Sequence, residues 1–241
     1  MRLSRVRTSI TPSKFAMQVV PESTMLLLRM QRGLEEAFGK GSVAIVGSTA
    51  MNLNLAVTRQ GVEDRDVIRK GGDVDFMLLN RLSDNKEVNQ FTVDVLNATG
   101  FKLGGELVSK IYDSEPPRPA GAYLSAGIAF EGINVELLNE IMNIPARPVV
   151  LNAYTETYTR GEHESFRLTF ATLPFLIVTK CEPSGKIRRE KDVEVIRGIL
   201  ETYYEGSLAT FFEKERASLK AVSRHVSADF RQGLFESLQK K

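Results

Sequence analysis

Apolar residues recur at helical spacing in residues 21–38, "PESTMLLLRMQRGLEEAF", through Leu26, Leu27, Met30, Leu34 and Phe38. Pro21 opens this segment and Gly39 and Gly41 close it, so the pattern predicts a helix. The next run, "SVAIVGS", is short, apolar and β-branched, as a buried strand is, and "TAMNLNLAV" returns to helical character. Residues 58–71 are polar and charged and read as an excursion from the core. "DVDFMLLN" resumes as strand, and "EVNQFTVDVLNATG" predicts a helix ending at Gly100. From 101 to 139 strands dominate: "FKLGGELVSKIY", a proline-rich break "SEPPRPAG", then "AYLSAGIAF" and "INVELLN" joined by "EG" as a hairpin. Further extended segments are expected within 147–170, and from "TLPFLIVTK" onward the text reads helical, interrupted at Gly206-Ser207. This order predicts an α+β chain. A mixed-sheet domain with its N-terminal helix would span 1–170, and a C-terminal α-helical domain would span 171–241.

Composition narrows the class of protein. The chain has 241 residues, 42% hydrophobic and 26% charged, which is ordinary for a globular fold with a sizeable core. Cys181 is the single cysteine, so no internal disulfide forms and no zinc-type cluster is expected; a reducing, cytoplasmic setting suits this. No apolar run reaches the roughly 18 residues a membrane span needs, and membrane insertion is not expected. The net charge of +2 makes no case for a nucleic-acid partner by itself. Local basic clusters must make it, namely "KIRREK" at 186–191 and the basic C-terminal stretch.

The chemistry-bearing residues begin with "GGDVDF" at 71–76. Residues i and i+2 of a strand share a face, so Asp73 and Asp75 project together while Val74 and Phe76 face the other way. Adjacent carboxylates repel unless a cation compensates, and such oxygen pairs suit Mg²⁺ or Mn²⁺ completed by substrate phosphates. A third acid, Glu136, is centred in "GINVELLNE" with Asn134 and Leu138 on its side of the alternation. Upstream, "AIVGSTAMN" ends a strand in Gly47-Ser48 at the start of a helix, where free amides and the helix dipole favour a phosphate.

These three parts together resemble the nucleotidyltransferase superfamily, the fold of DNA polymerase β. Its pattern is a hydrophobic-Gly-Ser turn, a strand bearing D-x-D, and a third acid on a neighbouring strand. The matching positions are Gly47-Ser48, Asp73 with Asp75, and Glu136. The 24 residues from 49 to 72 exceed the family's usual short spacing, so 58–71 would be an insertion. A rival pair, Asp64 and Asp66 in "EDRD", fits the spacing but has Arg65 between the acids and no apolar strand around them.

A narrower resemblance, to AbiEii-type toxin nucleotidyltransferases, rests on "LPFLIVTKCEPSGKIRREKDVEVI". Lys180 matches the family's lysine, Lys191-Asp192 its basic-acidic pair, and Arg188 or Arg189 its arginine, displaced by one or two positions. The family's final acid falls at Val195, with Glu194 beside it. The resemblance implies a nucleoside triphosphate bound at Gly47, Ser48, Lys180, Arg188, Arg189 and Lys191, with metal held by Asp73, Asp75 and Glu136. It also implies transfer to an acceptor hydroxyl, an RNA such as the end of a tRNA as acceptor, and a protein antitoxin as partner. In chemical terms Lys180 and the cluster Lys186, Arg188, Arg189 and Lys191 would neutralise a triphosphate or an RNA backbone, and Asp192 would orient a lysine. A small-molecule acceptor, an inactive nucleotidyltransferase-fold binding or regulatory module, and a helical nucleic-acid-binding protein with the sheet as scaffold remain as alternatives.

Overall fold

A computed structural model of the chain describes residues 22–58, 68, 72–80, 86–104, 128–141, 144–160 and 164–239, the side chains of 55–58, 157–160 and 164–166 excepted. Helix α1 (Glu22–Phe38) buries Leu27, Met30 and Leu34 as its periodicity requires. It leads to strand β1 (Val43–Ile45), wholly buried, and directly into α2 (Gly47–Thr58). Strand β2 (Val74–Leu78), helix α3 (Lys86–Ala98), β3 (Phe101–Leu103), β4 (Ile128–Phe130) and β5 (Ile133–Leu138) follow. The short strands β6 (Glu140–Ile141) and β7 (Ile144–Pro145) pair with each other, and α4 (Ala146–Leu151) precedes β8 (Tyr154–Arg160) and β9 (Glu164–Phe170). Helices α5 (Leu173–Thr179), α6 (Glu190–Tyr204), α7 (Leu208–Lys214), α8 (Arg216–Val222) and α9 (Phe230–Gln239) complete the order, with a 3₁₀ turn at Ser223–His225.

The main sheet runs β3-β4-β5-β2-β1-β9-β8 and is mixed. β1 is antiparallel to β2 and parallel to β9, while β2 is parallel to β5. The α+β class with a mixed sheet is therefore as the sequence predicts. One apolar cluster joins the sheet to the helices that follow it, from Leu27 through Phe76 and Phe170 to Phe211 and Leu234. No helix among the described residues is long and apolar enough to cross a membrane.

The extended segments expected within 147–170 are β8 and β9, and they are preceded by the short helix α4, which buries Ala146, Val149 and Val150 at spacing i, i+3 and i+4. The helical reading from 171 onward is broken at Cys181–Arg189, where Pro183 and Gly185, at φ +89°, turn the chain so that Cys181 bridges Ile187. Gly185 then lies flush against the backbone of Phe230, and Gly233 against that of Ser184, so α9 packs on this turn through two residues without side chains. Residues 59–67 and 69–71 of the charged excursion, the proline-rich break, Asp64 and Asp66 lie outside the described residues.

Gly33 marks where α1 packs on the turn from α3 into β3. A Cβ there would sit 2.7 Å from Thr99 Oγ1 and 2.9 Å from Phe101 Cε2. In an open helix interior Gly→Ala stabilises by roughly 1 kcal/mol. Gly33→Ala is instead expected to lower stability by about 1–3 kcal/mol through overpacking, read as a lower urea midpoint at unchanged m-value; a raised midpoint would show that this crossing has slack.

Candidate functional site

The sheet topology brings the predicted acids to one place. Because β2 runs antiparallel to β1, the start of β2 lies beside the end of β1, where Ile45 pairs with Phe76 and Val46 N–H donates to the Asp75 carbonyl at 2.8 Å. Because β5 runs parallel to β2, Asp75 falls opposite Glu136 in register. Asp73 precedes β2 by one residue, is exposed, and accepts a hydrogen bond of 3.1 Å from Asn134 Nδ2.

The turn out of β1 completes this corner. Gly47 has φ +64°, and the Asp75 carboxylate occupies the space into which a side chain at 47 would project. Glycine is required there twice, by its left-handed backbone and by the closeness of Asp75. Gly47, half-buried Ser48 and Thr49 are the first residues of α2, whose leading amides have no carbonyl one turn upstream within the helix. An amide-rich helix start and two or three carboxylates thus share one corner of the sheet.

Like charge is concentrated at that corner. Burial, the neighbouring charge of Glu136, that of Asp73, and a hydrogen bond shared with Glu136 push the Asp75 carboxyl up to about 7. The Asp75 carboxyl, beside Glu136, is thus held partly protonated near neutral pH. Among the described residues no three His, Cys, Asp or Glu side chains converge as a ready metal-ligand set, and Asp73, turned to Asn134, does not supply a third. Two touching carboxylates nonetheless suit Mg²⁺ or Mn²⁺, which take one or two protein carboxylates and fill their shell with water and phosphate oxygens.

The basic residues form a second cluster. Lys180 caps the C-terminal end of α5, and its ammonium meets Asp192 Oδ1 at 2.7 Å. Arg189 Nε meets Asp192 Oδ2, also at 2.7 Å. The Asp192 side chain is 3% exposed; burial alone would raise its pKa, but the hydrogen bonds from Lys180 and Arg189 outweigh this and hold the carboxyl below its usual range. Asp192 thus orients Lys180, and in doing so takes up its charge. The Arg188 guanidinium bonds the Thr179 carbonyl, and its Nε is buried without a partner among the described residues. Lys186 and Lys191 are exposed. Burial pushes the Cys181 thiol up to about 12, which leaves it without thiolate character.

The two clusters are connected through α2 and α5. Ala171 N–H donates to the Ile45 carbonyl at 2.8 Å, so α5 starts beside the Gly47 turn, and Lys180 lies about 10 Å along that helix. Buried Asn54 in α2 donates to the carbonyls of Ala50 and Ala171, and the Tyr203 hydroxyl of α6 donates to the Asn54 carbonyl at 2.5 Å. Asn134, Asn54 and Tyr203 are the residues that sequence reasoning missed. Asn134 was signalled by its alternation with Glu136; the other two carry no local signal, because their partners are more than a hundred residues away. His163 lies outside the described residues, and His225 sits in the 3₁₀ turn.

Comparison with known protein families and with characterised proteins finds no match to this chain.

Asp75 makes stability depend on pH. Its pKa is higher folded than unfolded, so between pH 4 and 7 the folded chain holds a proton that the unfolded chain releases, and stability falls as pH rises through that window. Asp75→Asn removes this dependence. Relative to wild type it should gain on the order of 1–3 kcal/mol between pH 4 and pH 8, after allowing for partial solvent screening. Urea denaturation of both proteins at the two pH values measures the difference; parallel profiles would mean that Asp75 titrates normally.

Proposed function

We propose that the chain is a metal-dependent nucleotidyltransferase that passes a nucleotide from a nucleoside triphosphate to an acceptor hydroxyl. The observation carrying this reading is the Asp75 carboxylate, packed against Gly47 at the head of α2 and in register with Glu136. A phosphate recognised by the first amides of α2 would lie beside the carboxylates, which is the juxtaposition phosphoryl chemistry requires. Asp75 and Glu136, with Asp73 drawn from Asn134, would hold Mg²⁺ or Mn²⁺. The ion, when bound, neutralises charge on the triphosphate and lowers the barrier to displacement at phosphorus.

The chain's own residues do the rest. The Gly47-Ser48 turn orients the triphosphate, and the acceptor oxygen attacks the α-phosphorus in line with the departing bond. The α-phosphorus to bridging-oxygen bond breaks, pyrophosphate leaves, and the acceptor proton passes to an ionised carboxylate of the Asp75–Glu136 pair. The resemblance to AbiEii-type toxins directs the acceptor to RNA. A second reading, nucleotide binding without transfer, is favoured by one observation: the three acids do not form a ready ligand set.

Incubation with each labelled nucleoside triphosphate, Mg²⁺ and total RNA, beside an Asp73→Ala/Asp75→Ala control, tests the proposal. Label on RNA is expected with the wild-type chain and at least a hundredfold less with the control, since the aspartates act on the reacting phosphate itself. Nucleotide binding with no label on RNA, protein or small metabolites would favour the second reading; absence of nucleotide binding would overturn both.

A further inference from the structure

Residues 216–228, "RASLKAVSRHVSA", contain three cations and no acid. Arg216, Lys220 and Arg224 succeed one another at i, i+4 and i+8 along α8 and the 3₁₀ turn that continues it, and all three are exposed. Leu219 and Val222 point inward, and Val222 is buried. None of the three cations takes part in an ion pair among the described residues. This separates them from Lys180 and Arg189, whose charges are spent on Asp192, from Lys214, which faces Glu205, and from Arg231, which lies over the Phe212 ring. Successive cations stand about 6 Å apart along the helix. The nearest acids in sequence, Glu213, Glu215 and Asp229, form no ion pair with the three cations among the described residues, and Glu215 accepts from the Tyr204 and Ser218 hydroxyls instead.

The geometry points to Arg216, Lys220 and Arg224 as a docking ridge for the phosphate backbone of RNA. This assignment rests on the nucleotidyl-transfer reading only for its choice of RNA as the polyanion; charge complementarity carries the rest. A row of unpaired, regularly spaced cations suits a polyanion with regularly spaced charges. A lipid surface fits less well, because the outward face between the cations offers only Ala217 and Ala221 and no large apolar side chain to insert. The ridge is tied mechanically to the candidate site, since α8 packs on α5 and α5 begins at the hydrogen bond between Ala171 and Ile45.

The test is binding of a fluorescent single-stranded RNA to the full chain, without nucleotide or Mg²⁺, across a salt series. Three proteins are compared: wild type, Arg216→Gln/Lys220→Gln/Arg224→Gln, and a control, Arg32→Gln/Lys40→Gln, altered at exposed cations of α1 and the turn after it. Binding by wild type should weaken with salt, and the ridge variant should bind at least tenfold more weakly near 0.1 M salt with a log–log slope shallower by about 2, some 0.7 for each lost contact. The control should match wild type. Equal affinity and slope for ridge variant and wild type would overturn the proposal, as would equal losses in the control or no RNA binding at low salt. RNA binding is read here without nucleotide or Mg²⁺, so absence of label transfer with ridge-dependent binding intact marks failure of the transfer reading alone, and loss of ridge dependence marks failure of this proposal.

Discussion

The structure turns on the contact between Asp75 and Gly47. A carboxylate lies directly on a backbone that has no side chain to hold it off, at the point where β1 becomes α2. That closeness needs residue 47 to be glycine at positive φ, β2 to run antiparallel to β1, and the register to be the one observed. A shift of one residue would carry Asp75 to the opposite face and put Phe76 in its place. Buried residues on both sides, Ile45, Val46, Val74 and Phe76, hold that register by the penalty of exposing them.

The helical half supports this corner from behind. Asn54 joins α2 to Ala171 and, through its carbonyl, to Tyr203, so the helix that opens at Gly47 is fixed at mid-length by the start of α5 and the end of α6. The Lys180–Asp192–Arg189 group clamps α5 to the head of α6. Asp192 is buried and held by both cations, so its removal would leave the largely buried Lys180 without its partner, whereas loss of half-exposed Arg189 leaves Asp192 still paired with Lys180. Its first role in the fold is therefore structural.

Much of this was legible in the sequence because local patterns and tertiary demands agree. The α1 periodicity, the β-branched "VAIV" run, the alternation in "VDF" and "INVELL" and the "EG" turn all correspond to observed elements. Asp73, Asp75, Glu136 and the Gly-Ser turn were identifiable because each is a polar or flexible residue set in an apolar run. Legibility failed where a short element carries too few residues to show a period, as in the six-residue α4, and where one proline and one glycine redirect the chain, as at Pro183 and Gly185. It failed also for Asn54 and Tyr203, whose meaning depends on distant partners. The pairing of Lys180 with Asp192 was visible as a spacing, but its burial was not.

The central proposal is that Asp75, beside Glu136, holds a proton near neutral pH and gives it up when a divalent cation binds. Carbon-13 NMR of the labelled Asp75 carboxyl, titrated with and without Mg²⁺ and assigned with Asp75→Asn, tests it most directly. A midpoint near 7 without metal and a downward displacement of at least one unit on adding Mg²⁺ are expected, since a cation favours the charged form. An ordinary carboxylate midpoint in both titrations, or a raised midpoint that Mg²⁺ leaves unchanged, would contradict it.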